Sequence, residues 1–284
     1  MAIRIITDTP SDISIKEGRD LNINIVSLKI HFDEVSYTEG VDLSAEEFYQ
    51  KLESSKNLPT TSTPSPEDYL LHYEEAKKAG DDVIVITLAS ALSGTYQCAN
   101  LAKDMANYSR IFIIDSEQAT ISQAMLVRYA IKLRDECKTA EEIVNYLNDI
   151  KERVVILAMV DTLEYLHKGG RLSKSLAIAG NVLKLKPIIS LDKGTVSLIG
   201  KARGINASIK TILKLLDDYE IDLSEQIIFG YTADPSQGIL FKERVDDKYK
   251  LKNTRLYSIG SVIGTHAGPG AFAIAFISKI KKRS

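Results

Sequence analysis

Gly264-Thr265-His266-Ala267-Gly268-Pro269-Gly270 sets one histidine among three glycines and a proline, directly before the apolar run Ala271 to Ile277. Glycine permits backbone angles and close approaches that a Cβ forbids, and Pro269 fixes one torsion. The heptad therefore predicts a sharp bend that displays His266. An imidazole there can meet a polar ligand, or it can satisfy the backbone groups of an ordinary turn. Other motifs must choose between these readings.

Thr60-Thr61-Ser62-Thr63-Pro64-Ser65-Pro66 concentrates hydroxyls without charge. Such side chains donate to a carboxylate or phosphate, and backbone N–H groups at a helix start add positive potential. Ser65 reads as a helix cap, because Pro66 falls at the first helical position. Capping does not account for Thr61 and Ser62, which remain candidate ligands. Leu92-Ser93-Gly94-Thr95-Tyr96 follows the strand Val83 to Leu88 and opens a helix running to about Asn107. In an open α/β sheet, the carboxyl ends of strands and the helix starts beyond them form the ligand crevice. Ser93 is thus either an anion contact or a plain cap. Asp8-Thr9-Pro10-Ser11-Asp12 holds two carboxylates that suit a cap and turn better than a metal, since no clustered partner ligand follows.

The elements that must position these residues alternate between short apolar runs and longer amphipathic ones, the pattern of α/β architecture. Ile3 to Ile6, Val83 to Leu88 and Ile111 to Ile114 are near-continuous apolar runs, as expected of a parallel sheet covered on both faces. Helix starts are marked by Ser44 with Glu47, Ser65 with Pro66, and Thr139 before Ala140-Glu141-Glu142. A second series comprises Val154 to Val160, Ile188 to Leu191, Val196 to Ile199, Gln226 to Tyr231, Thr254 to Ile259 and Ala271 to Ile277. Asp192-Lys193-Gly194-Thr195 reads as a hairpin turn, so this second sheet is expected to be mixed. The fold class is α/β, with two layered α/β domains. The domain change is placed near Glu152, giving residues 1–152 and 153–284.

Composition excludes several functions. With 26% charged residues and a net charge of −2, the 284-residue chain lacks the basic footprint of a nucleic-acid binder. Cys98 and Cys137 fall in segments read as helices, apart from any Cys/His cluster, so no metal site and a reducing compartment are expected. The strand-like start and the lack of a run of roughly 20 apolar residues point to a cytoplasmic protein. Lys279-Ile280-Lys281-Lys282-Arg283 reads as a solvated terminus.

Taken in order, Asp8 to Asp12, Thr61 to Ser65, Ser93 to Tyr96, Lys168-Gly169-Gly170-Arg171, Lys201-Ala202-Arg203 and Ile263 to Gly270 resemble the DegV family over essentially the whole chain. In detail they are similar to the fatty-acid-binding subunits of bacterial fatty acid kinases. The resemblance implies a long-chain fatty acid whose carboxylate sits between two domains and whose tail fills an apolar tunnel in the second. It implies Thr61, Ser93 and His266 as head-group ligands, with Ser62 beside them. It also implies an ATP-dependent fatty acid kinase as partner, and acceptor enzymes of phospholipid synthesis that receive the acyl phosphate. Thr9-Pro10 stands where a Ser or Thr pair is usual, and Thr63 where Gln is common. Arg203 and Arg171 are assigned to kinase docking, against the plainer reading of surface ion pairs.

No GxxxxGK[ST] loop or glycine-rich phosphate fingerprint is present, so no nucleotide site and no cofactor are expected. A carrier is the reading adopted, without catalytic residues of its own. The enzymatic rival is an acyl hydrolase with Ser93 as nucleophile, His266 as base and Asp8 or Asp115 as orienter. Ala91-Leu92-Ser93-Gly94-Thr95 lacks the first glycine of a nucleophile elbow. A lipid-sensing regulatory protein is the third reading.

Overall fold

In a computed structural model that describes residues 2–172 and 185–280, the apolar runs become strands whose order explains the cavity between them. The first half contributes β1 (Ile3–Asp8), β2 (Asn24–Val26), β3 (Lys29–Phe32), β4 (Val35–Thr38), β5 (Thr60–Ser62), β6 (Asp82–Thr87) and β7 (Ile111–Asp115). The second contributes β8 (Val154–Met159), β9 (Lys186–Asp192), β10 (Thr195–Ala202), β11 (Ile227–Tyr231), β12 (Thr254–Ser258) and β13 (Phe272–Ile277). One sheet, ordered β2-β1-β6-β7, is parallel throughout, with Ile5 beside Ile84 and Val85 beside Ile113. A second, ordered β10-β9-β8-β13-β11-β12, is mixed. The architecture is the mixed α/β one that the sequence pattern implies.

Asp192 to Thr195 closes the β9–β10 hairpin, with Lys193 at φ 45° and Gly194 at φ 77°. Positive φ at both central residues matches the right-handed twist of the strands. All three anticipated helix starts carry reciprocal side-chain caps: Ser44 with Glu47, Ser65 with Asp68, and Thr139 with Glu142. Each satisfies amides that the first helical turn leaves without intrahelical partners.

Helix Thr120–Asp135 is buried from Thr120 through Val127 and again from Tyr129 to Ile131. A helix buried on nearly every side is enclosed by protein, and its polar members Ser122 and Gln123 find hydrogen-bond partners there. Its side chains share one apolar core with Ile5, Ile84 and Ile86 of the first sheet and Ile156, Ala273 and Ala275 of the second. The far face of the second sheet packs separately, where Leu157, Phe229, Phe272 and Phe276 meet Ile209, Ile212, Phe241 and Val245.

Three local expectations need correction. β3, β4 and β5 form a small antiparallel sheet that the sequence reading did not anticipate, because strands this short carry little periodic signal. Cys137 lies just beyond helix Thr120–Asp135 at φ 59°, not within a helix. His266 sits in the last turn of a helix, Ser261–Ala267, and the bend follows at Gly268 with φ 73°. Glycines at 260, 264 and 268 hid that helix. Of the basic tail, residues 281–283 lie outside the described part. No helix among the described residues is long and apolar enough to cross a membrane.

Candidate functional site

A cavity opens between the parallel sheet's carboxyl edge and one face of the mixed sheet. The cavity and its mouth together leave about 910 Å³ free of protein atoms. Its floor follows from strand alternation: Ile156 and Ala158 of β8, Ile189 and Leu191 of β9, and Ala273 of β13 point one way. On β13 the alternation is also one of size. Ala273 and Ala275 belong to the cavity-side core, while Phe272, Ile274 and Phe276 fill the opposite one. Small side chains on one face of a central strand leave space there. The sequence Ala-Phe-Ala-Ile-Ala-Phe at 271–276 held this signal, which the apolar reading passed over.

Of the polar side chains that meet the apolar wall, four come from four of the sequence motifs. Thr61 comes from β5, and its Oγ1 lies 3.0 Å from His266 Nε2. Ser93 precedes helix Thr95–Ala106, where its Oγ is 2.8 Å from Thr95 Oγ1 and accepts a 3.3 Å bond from Thr95 N. It therefore stabilises the helix start and lines the cavity as well. Arg171 follows the short helix Glu164–Lys168. It donates from Nε to Leu92 O at 3.1 Å and from Nη1 to Gly169 O at 2.6 Å. These two carbonyls tie the guanidinium to the residue before Ser93 and to the residue packed on His266.

Gly169 explains part of the Lys168-to-Arg171 motif. A Cβ there would fall 2.2 Å from His266 Nδ1, so the imidazole packs directly against bare backbone. Burial lowers His266 to about 4, and the Arg171 charge pushes in the same direction. The ring is neutral at physiological pH and offers one N–H and one lone pair. Among the described residues, Nδ1 has no hydrogen-bond partner.

This arrangement can bind an anionic oxygen through two hydroxyls, an imidazole and a nearby cation. Among the described residues no hydrogen bond joins Ser93 to His266. Ser93 pairs with Thr95 and His266 with Thr61. Asp115 accepts from Ser90 N at 3.1 Å and from the Ser90 hydroxyl, and Asp8 accepts from Leu88 N and Gln123 Nε2. Neither carboxylate orients the histidine. No group of three or more His, Cys, Asp or Glu side chains suited to a metal occurs among the described residues.

Ser62 and Arg203 stand apart. Alternation along β5 separates Ser62 from Thr61, and Ser62 Oγ meets His31 Nε2 at 2.8 Å. Arg203 is exposed in the bend between β10 and helix Ile205–Asp217, outside the cavity lining. Arg171, grouped with it from sequence, is instead a half-buried wall residue. Thr120 also lines the cavity and was not singled out, because its place depends on an unusual turn at φ 55°.

Comparison with known proteins is consistent along the whole chain. A family model described as "Uncharacterised protein, DegV family" matches residues 2–279. A DegV domain-containing protein of Caldanaerobacter subterraneus is 37% identical over 279 residues, covering 98% of this chain and 99% of its own. A Thermus thermophilus structure described as fatty acid binding of a DegV family protein aligns with a TM-score of 0.90 at 29% identity, covering 98% of this chain and 100% of its own. The Bacillus subtilis structure described as DegV, a fatty acid binding protein, gives 0.86 at 31% identity, with 98% and 100% covered.

Proposed function

The chain belongs to the DegV family, and on that footing we propose that it binds a long-chain fatty acid and presents the carboxylate to a separate ATP-dependent kinase. One observation carries the reading: a single apolar cavity brings together Thr61, Ser93, Arg171 and His266 from four segments of the chain. An alkyl chain suits such walls, and a carboxylate suits those donors. The relatives described as fatty-acid-binding proteins support the same ligand class.

The energetics favour a long tail. At about 0.8 kcal/mol per buried methylene, some 14 methylenes contribute on the order of 11 kcal/mol before the costs of association. The head group adds orientation. Thr61 and Ser93 donate hydroxyl protons to the carboxylate, neutral His266 donates its Nε2–H to Thr61 Oγ1 and so orients that hydroxyl, and Arg171 balances the charge.

In this proposal the chain performs no phosphoryl transfer itself. The partner kinase forms the acyl phosphate, which then enters phospholipid synthesis, and exposed Arg203 belongs to the docking face.

Lipid extracted from purified protein and identified by mass spectrometry tests the first step. Stoichiometric long-chain fatty acid is expected. Ligand-free protein that takes up neither palmitate nor oleate would sink the reading. Incubation with ATP and magnesium, with and without the kinase, tests the second. Acyl phosphate is expected only when the kinase is present.

A further inference from the structure

The Asp8-to-Asp12 motif contributes no side chain to the cavity lining, yet Asp12 holds two pieces of the wall at once. Its Oδ1 accepts from Gly260 N at 2.8 Å, and its Oδ2 accepts from the Thr120 hydroxyl. Gly260 caps helix Ser261–Ala267, whose Ile263, His266 and Ala267 all line the cavity. Thr120 lines it from the other side. Glu39 works alongside, accepting from Val262 N at 2.8 Å. A Cβ on Gly260 would fall 2.6 Å from Glu39 Oε1 and 3.3 Å from Asp12 Oδ1, so the two carboxyls bracket that residue.

A seven-residue helix cannot hold its own position. Val262 anchors it in an apolar cluster with Leu28, Phe48 and Tyr49. Such packing is non-directional and leaves rotation about the axis poorly fixed, whereas hydrogen bonds to the amides at its start are directional. Thr120 has a parallel need. Its φ of 55° is a conformation that β-branched residues rarely hold, and the bond to Asp12 restrains it.

We propose that Asp12, assisted by Glu39, is a positioning residue for the head-group end of the cavity, fixing His266 through the helix start and Thr120 directly. The inference rests on the fatty-acid reading above. Without Asp12 the apolar tunnel persists, but the polar groups no longer converge on a carboxylate. The position is costly to maintain. Burial pushes Asp12 up to about 8 and Asp8 up to about 7, and it raises Glu39 as well.

The test compares palmitate with 1-hexadecanol, which share a tail and differ in the head group. Wild-type protein is expected to prefer palmitate. Asp12→Ala should reduce that preference by about tenfold, equivalent to about 1.4 kcal/mol, while hexadecanol affinity stays within about twofold. Asp12→Asn should restore the preference, because its amide oxygen still accepts from Gly260 N and its NH₂ can donate to Thr120. Should Asp12→Ala fail to fold, Thr120→Val removes one of the same bonds while leaving the Asp12 carboxyl in place and bonded to Gly260 N, and should also lower the preference. An Asp12→Ala or Thr120→Val protein with wild-type preference overturns the inference, as does equal weakening of both ligands. Wild-type protein that binds neither ligand, or both equally, defeats the fatty-acid reading first and the inference with it.

Discussion

Thr61 and His266 are 205 positions apart in sequence, yet Thr61 Oγ1 and His266 Nε2 lie 3.0 Å from each other in the cavity wall. The contact joins a strand of the small antiparallel sheet to the last turn of a short helix. Removing the hydroxyl tests its role directly. Thr61→Val should weaken palmitate binding about tenfold or more, because a hydrogen bond to a charged oxygen contributes roughly 1.5 to 3 kcal/mol. Ser93→Ala should act similarly. It should also cost about 0.5 to 1 kcal/mol of stability, since Ser93 supports the start of helix Thr95–Ala106. Calorimetric titration with delipidated protein measures both effects, and unchanged affinity in both variants would remove these residues from the head-group site.

Gly169 carries a different constraint. Its φ of −74° is open to any residue, so the demand is for space. Gly169→Ala places a methyl 2.2 Å from His266 Nδ1 and 3.0 Å from Tyr165 O. The imidazole must move, so carboxylate binding should fall by about tenfold with a smaller loss of hexadecanol binding, the cost of about one charge-assisted hydrogen bond. A crystal structure of the variant with the ring in place would contradict this account.

Protonation should pull stability in two directions. His266 is lowered to about 4, so as pH falls below its ordinary 6.5 the unfolded chain takes up the proton first. Stability is then lost between about 6.5 and about 4. Asp12 and Asp8 are raised to about 8 and about 7, so the folded chain keeps protons that the unfolded chain releases above about 3.8. Their contribution is complete below that value and is lost as pH rises toward 8. In thermal melts of delipidated protein, Asp12→Asn should gain on wild type from pH 4 to 8. His266→Gln should gain on wild type as pH drops from 6.5 to 4. Differences that stay flat across these windows would contradict the assignment.

Arg203 separates holding the lipid from presenting it. Because it is exposed and lies outside the cavity, Arg203→Ala should retain fatty acid and an unchanged melting temperature. Acyl phosphate formation with kinase, ATP and magnesium should slow by about tenfold, as expected for loss of one interfacial charge contact. Full activity would return Arg203 to the role of an ordinary surface cation.

What the sequence determined by itself was chiefly local. Reciprocal caps at Ser44, Ser65 and Thr139 need only residues three positions apart, and the Lys193-Gly194 turn needs only neighbours that accept positive φ. The apolar strands were legible because burial on both faces leaves a continuous run, and the motifs were specific enough to mark Thr61, Ser93 and His266. Tertiary structure decided which of the marked residues share a site. Strand alternation turned Ser62 toward His31, and two backbone carbonyls drew Arg171 into the wall while Arg203 stayed outside. The helix carrying His266 was obscured by glycines whose absent side chains make room for Tyr49, Tyr165 and Glu39. Those neighbours come from distant parts of the chain, so their demand for space is set only when the chain packs. The link from Asp12 to Gly260 spans 248 positions for the same reason. Local pattern can specify a cap or a strand, but a cavity exists only where separate segments meet and leave part of their shared volume unfilled.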